Sequence, residues 1–110
     1  MTGEPRWLPE AIEDLQSGYD WCDEREPGLG RQLAAEVFKA LDQVVRGPLL
    51  LKKYEHPNLP AEPDVRKMQV KRFNEYGLIY TLVNDTFWIV AVAHAKRNPG
   101  YWIDRLTTLS

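Results

Sequence analysis

Residues 76–94 read YGLIYTLVNDTFWIVAVAH, and the fold turns on this stretch. Tyr76 to Val83 is rich in residues that favour strands. Asn84-Asp85 joins two residues that tolerate positive φ, the chemistry of a two-residue hairpin turn. Phe87 to Ala93 is almost wholly apolar, as a central strand covered on both faces must be. A β-hairpin with its second strand inside the sheet is therefore expected.

Upstream, Arg66-Lys67-Met68-Gln69-Val70-Lys71-Arg72 alternates, with Met68 and Val70 facing one way and Lys67, Gln69 and Lys71 the other. Pro57, Pro60 and Pro63 mark residues 55–64 as loop, and Leu49-Leu50-Leu51 is expected to open a short edge strand. Before Pro48 the apolar period is helical. Leu8, Ile12, Leu15, Tyr19 and Cys22 form one stripe, Leu29, Leu33, Val37, Leu41 and Val44 a second. Pro27-Gly28 separates them and Gly47-Pro48 ends the second. The tail from Pro99 to Arg105 should turn and finish as a short helix or coil. The expected fold class is α+β: an N-terminal antiparallel helical hairpin packed on a small, mostly antiparallel sheet, in a single domain over residues 1–110.

The 110 residues and 12.8 kDa suffice for one domain, and the 44% apolar, 27% charged composition is that of an ordinary globular protein. A lone cysteine, Cys22, excludes an internal disulfide framework. No run approaches the length of a membrane span and no signal peptide is visible, so the cytoplasm is the expected location. The net charge of −2 conceals an asymmetry. Residues 1–47 carry 5 Lys/Arg against 10 Asp/Glu (−5), and residues 48–110 carry 9 against 6 (+3). The second half is the place to look for an anionic ligand or an acidic partner.

Familiar catalytic sets are missing. Gly28-Leu29-Gly30 fits no phosphate loop, and the serines, Ser17 and Ser110, suit no triad. His56 and His94 stand apart from any cluster of metal ligands, so neither a metal nor another cofactor is expected. What remains is basic. Arg66, Lys67, Lys71 and Arg72 fall within seven residues; Lys52 and Lys53 precede them, and Lys96 and Arg97 follow the strand ending at His94. On neighbouring strands these cations would form a phosphate-sized site, or else a solvated sheet face opposite the helices. The tail adds an imidazole (His94), a phenol (Tyr101) and guanidinium groups. Those are ingredients for metal-free acid–base cleavage of RNA, with His94 or Tyr101 exchanging protons and Arg66, Arg72 or Arg97 holding the phosphate. The plainer readings are a polar strand cap for His94 and a tail anchor for Trp102.

The ordered set Pro27-Gly28-Leu29-Gly30, Gly47-Pro48, Val65-Arg66, Arg72-Phe73, Tyr76, Tyr80 and Val90-Ala91-Val92-Ala93-His94, followed by Arg97, Pro99, Tyr101, Trp102 and Arg105, resembles the RelE/ParE superfamily of toxins. The likeness spans roughly Pro9 to Arg105 and is strongest to the ParE-like, plasmid-stabilisation branch of these bacterial proteins. It implies a helical hairpin on a twisted antiparallel sheet and a small, often acidic cognate antitoxin that blocks the active surface. It also implies one of two targets. ParE-like members bind DNA gyrase; RelE-like members cut messenger RNA on the ribosome without metal. Carried over, the nuclease reading uses Arg66, Lys71 or Arg72 with Arg97 and Tyr101. The net charge of −2 favours a protein target such as gyrase over a polyanion.

Overall fold

Helix α1 (Pro9–Arg25) starts where Pro9 sets φ without sacrificing a needed N–H, and helix α2 (Leu29–Arg46) follows after a three-residue break. These and the remaining elements come from a computed structural model that describes residues 4–109. Asp23 closes the break, its Oδ1 accepting the N–H groups of Gly28 (3.1 Å) and Gly30 (2.9 Å) at the exposed start of α2. The helices form the expected antiparallel hairpin, but small residues make the contact. A Cβ on Gly30 would lie 2.5 Å from the Tyr19 carbonyl oxygen, so α2 crosses α1 on bare backbone.

The expected stripe of α1 holds at Leu8, Leu15 and Cys22 and fails at Ile12. Ala11, Asp14, Gly18 and Cys22 are buried, whereas Ile12 is 54% exposed. On α2 the expected stripe holds, with Leu33, Val37 and Val44 buried. Large apolar side chains attract attention in a helical pattern, yet α1 packs through its small ones, where backbones approach nearest.

The sheet has four strands: β1 (Arg6–Trp7), β2 (Val65–Gln69), β3 (Tyr76–Val83) and β4 (Thr86–His94), in the order β1-β4-β3-β2. The hairpin β3–β4 is antiparallel from Val83↔Thr86 to Tyr76↔His94, and Asn84 (φ 50°) and Asp85 (φ 64°) both take the left-handed backbone of the expected turn. β4 lies inside the sheet. β1 joins it in parallel, which makes the sheet mixed; two residues are too few to show any period in sequence.

Leu49-Leu50-Leu51 forms no strand. Leu50 N–H turns back onto the Gly47 carbonyl (3.1 Å), and Leu49 and Leu50 are 66% and 87% exposed. Side chains hold this segment in place of a ladder: Tyr80 Oη donates to the Pro48 carbonyl (3.1 Å) and Arg66 Nε to that of Leu51 (2.7 Å). The sheet thus has two covered faces. Tyr76, Leu78 and Tyr80 lie under the helices, and the other face is roofed by the 47–64 loop and by a short 3₁₀ helix, Ile103–Thr108. Trp102, 2% exposed and 5.6 Å from the Tyr54 ring, pins that roof. Among the described residues no helix is long and apolar enough to cross a membrane.

Candidate functional site

β1 ends after pairing with Trp88 and Ile89, so the outer edge of β4 beyond that point offers unpaired backbone groups. Two side chains take the place of the missing strand. Asp14 Oδ2, from α1, accepts the Val92 N–H (3.2 Å), and Arg105 Nη1, from the 3₁₀ helix, donates to the Val90 carbonyl (3.0 Å). The two also bind each other through Nη1–Oδ2 (2.7 Å) and Nη2–Oδ1 (3.2 Å), the two-pronged geometry of a strong guanidinium–carboxylate pair.

The same carboxylate gathers the tail. Tyr101 Oη donates to Asp14 Oδ2 (3.1 Å) and Arg97 Nη1 to Oδ1 (3.3 Å), while the Arg97 guanidinium lies 3.6 Å over the Tyr101 ring. The Asp14 side chain is 5% exposed and that of Arg105 14%. Burial, and after it the Asp14 carboxylate, push the Tyr101 phenol up to about 12 despite two neighbouring guanidinium groups. Burial alone would lower Arg105; Asp14 more than reverses that and raises it. At neutral pH Tyr101 is a protonated donor whose hydrogen is already committed.

His94 is held through one ring nitrogen. Its Nδ1 accepts the Lys96 N–H (3.0 Å), which leaves the proton of the neutral ring on Nε2, and that atom is buried without a hydrogen-bond partner. The imidazole stands edge-on to Tyr76 (centroids 4.7 Å apart) and Trp21 (5.7 Å). It forms part of an aromatic wall that caps the strand. Burial also pushes the Tyr76 phenol to about 12 and raises the Cys22 thiol beside it.

The cations do not collect on one surface. β2 ends at Gln69, so the strand carries only Arg66 and Lys67, and alternation sends these to opposite faces. Arg66, on the helix side, is bound to Leu51. Arg72 lies in the turn after β2 with φ 69°, its Nε 3.9 Å from buried Glu36, and Lys71 borders the same hollow against α2. Lys52 and Lys53 lie in loop; Lys53 pairs with Asp64 at 3.3 Å, and Lys52 is exposed. Lys67 crosses the tail-side face and meets His94, Arg97 and Tyr101 around a depression of about 190 Å³. Lys96 borders a different cleft, on the α1 side. Of the residues proposed from sequence, Lys67, His94, Arg97 and Tyr101 come together; Arg66 and Arg72 stay apart from them.

Sequence reasoning passed over Asp14 and Arg105 as site residues. A signal existed: Asp14 shares its helical face with Ala11, Gly18 and Cys22, a place where a carboxylate is buried and must find a cation.

The comparisons with known proteins agree with this architecture. No curated protein matches the sequence. A chain of the chromosomal ParDE toxin–antitoxin system from P. aeruginosa superposes with a TM-score of 0.68 at 14% identity, over 84% of this chain and 96% of that one, a likeness of fold. The model of the ParE toxin of type II toxin–antitoxin systems matches residues 6–99, which hold both helices and all four strands. The chain belongs to the ParE toxin family of type II toxin–antitoxin systems.

Proposed function

We propose that this toxin acts by binding a protein target, DNA gyrase, and that a cognate antitoxin relieves the inhibition. One observation carries the choice over RNA cleavage: the atoms that would transfer protons are either engaged or buried. Tyr101 Oη gives its hydrogen to Asp14, His94 Nδ1 is taken by a backbone N–H, and His94 Nε2 is buried. General acid–base catalysis needs such a group free within hydrogen-bond reach of the reacting oxygen, with a pKa near the working pH. A phenol at about 12 behind a carboxylate meets neither condition. The divergence of Arg66 and Arg72 likewise takes both of the strand's guanidinium groups away from a phosphorane. On this reading the ten basic and titratable residues proposed from sequence act as structural and contact groups.

The second reading, a ribosome-dependent nuclease, draws support from the depression shared by Lys67, His94, Arg97 and Tyr101. Expression in cells separates the two. Gyrase poisoning produces growth arrest with induction of the DNA-damage response and broken chromosomes; a nuclease produces arrest with transcripts cut at ribosomal A-site codons and intact DNA. Either arrest should lift when the neighbouring small open reading frame is expressed.

A further inference from the structure

We infer that the outward face of α2 is a self-complementary surface by which two copies of this chain associate as a two-fold symmetric dimer. Such pairing goes beyond the choice of target and involves neither gyrase nor the antitoxin.

Helix α2 carries two rows of side chains. Leu33, Val37, Ala40 and Val44 are buried against the rest of the fold. On the outward side Arg31, Ala35, Phe38 and Asp42 succeed one another at steps of 4, 3 and 4 residues, which sets them in one row, and all four are exposed. Phe38 has 52% of its surface in water, and Val45, which extends the row, has 37%. The Phe38 ring is not loose. The Trp7 indole stands 5.9 Å from it at 50° and fixes its direction, so little ordering entropy is lost when a second surface closes on it.

The row reads the same from either end once the signs of charge are exchanged. Arg31 and Asp42 are equidistant from the point between Glu36 and Val37, near the middle of the 18-residue helix, and so are Ala35 and Phe38. A second α2 laid antiparallel about a two-fold axis at that point brings Arg31 beside Asp42 of the second copy. Phe38 then lies over Ala35 of that copy, and each contact occurs twice. The Ala35 methyl leaves the room that the phenyl ring fills, as ridges fill grooves wherever helices pack.

The charges are available for this. Among the described residues Arg31 has no ion pair. Asp42 gives Arg46 only Oδ2, at 3.1 Å between two exposed side chains, a pair of little worth in water. An unrelated partner places no demand for a palindrome on α2, whereas a two-fold contact requires one. At about 1.5 Å per residue the helix spans about 27 Å. Two such helices bury less than about 1,200 Å², the small end of specific interfaces, so the dimer should exchange with monomer. α2 covers β2 and β3 while the Asp14 cluster stands at the edge of β4, so pairing leaves both tails uncovered.

Sedimentation of the purified full chain from about 1 to about 300 µM, after a check of fold by circular dichroism, is the test. Wild type should pass from monomer to dimer, and Phe38→Ala should weaken association about 10-fold or more. Arg31→Asp sets carboxylate against carboxylate and Asp42→Arg guanidinium against guanidinium. Each should weaken association about 30-fold, because every clash occurs twice. Both changes suit the helix dipole, so neither should unfold the protein. Mixed together, the two variants regain opposite charges at both ends, and their heterodimer should form within about 3-fold of wild-type strength. Asp104→Lys, on the 3₁₀ helix, should also stay within about 3-fold.

A wild type that stays monomeric throughout overturns the proposal. So do folded single variants that dimerise as wild type does, and a mixture of Arg31→Asp with Asp42→Arg that remains monomeric. Should one charge variant fail to fold, the other and Phe38→Ala decide alone. A monomeric wild type whose Phe38→Ala variant loses affinity for the product of the neighbouring open reading frame would assign this face to the antitoxin, and overturns the proposal equally.

Discussion

The segments 52–72 and 94–105 are alike in sequence, each dense in cations and each a candidate site, but they fold in opposite ways. In the first the charges part: Arg66 binds the Leu51 carbonyl, Lys67 crosses the other face, Lys53 pairs with Asp64, and Arg72 points toward Glu36. In the second they converge, because one buried anion, Asp14, draws in Arg97, Tyr101 and Arg105. Like charges along a strand repel and spread over whatever surface is open to them. A buried carboxylate opposite has the reverse effect, since it must be matched to be tolerated at all. Charge density in a sequence is therefore a poor guide to convergence unless the opposing charge is found too.

The contrast can be broken by mutation, and the largest effect belongs to the converged region. Asp14→Ala should cost about 3–5 kcal/mol in denaturant unfolding, because it leaves Arg105 buried without its partner and the Val92 N–H unmatched. Arg66→Ala removes one hydrogen bond, to the Leu51 carbonyl, and should cost about 1–2 kcal/mol, with earlier protease cleavage in residues 47–64. A loss as large as that of Asp14→Ala would mean that the basic segment too has an organising centre.

Tyr101→Phe should cost about 1 kcal/mol at pH 7, the net worth of its hydrogen bond to Asp14. Its pH dependence sharpens the point. The folded phenol stands at about 12, above its ordinary value of about 10, so folding favours the protonated form. The stabilisation is complete below about pH 10 and is lost as pH rises toward 12, as linkage requires. Between pH 9 and 11 the melting temperature of wild type should fall more steeply than that of Tyr101→Phe. Parallel curves would show that the Tyr101 phenol is not buried beside Asp14. Smallest of all, Lys67→Ala should change stability by less than about 0.5 kcal/mol, because its ammonium lies on an exposed face.

Much of this was legible in the sequence, and the gaps have physical causes. The helical hairpin, the β3–β4 hairpin with its Asn84-Asp85 turn and the anchoring role of Trp102 are written in local chemistry: period, turn residues, aromatic bulk. What escaped is non-local. β1 is too short to have a period, and Leu49-Leu50-Leu51 has the composition of a strand, but Arg66 claims the Leu51 carbonyl and Tyr80 that of Pro48 just before it. On α1 the closest contacts pass through glycine and alanine, and of the expected stripe Ile12 faces solvent. The candidate site suffered most. Its central group, Asp14, reads as an ordinary acidic residue near a helix start, and it lies 91 positions from the arginine that matches it.

The tail of this toxin either holds structure or moves protons. Supercoiling of relaxed plasmid by purified gyrase, titrated with wild type and with Tyr101→Phe, asks this directly. We expect both proteins to inhibit at the same concentration, since binding needs no phenolic proton and Arg105 still holds Asp14. Gyrase unaffected by either protein, with ribosome-bound messenger RNA cut by wild type and left whole by Tyr101→Phe, would contradict it.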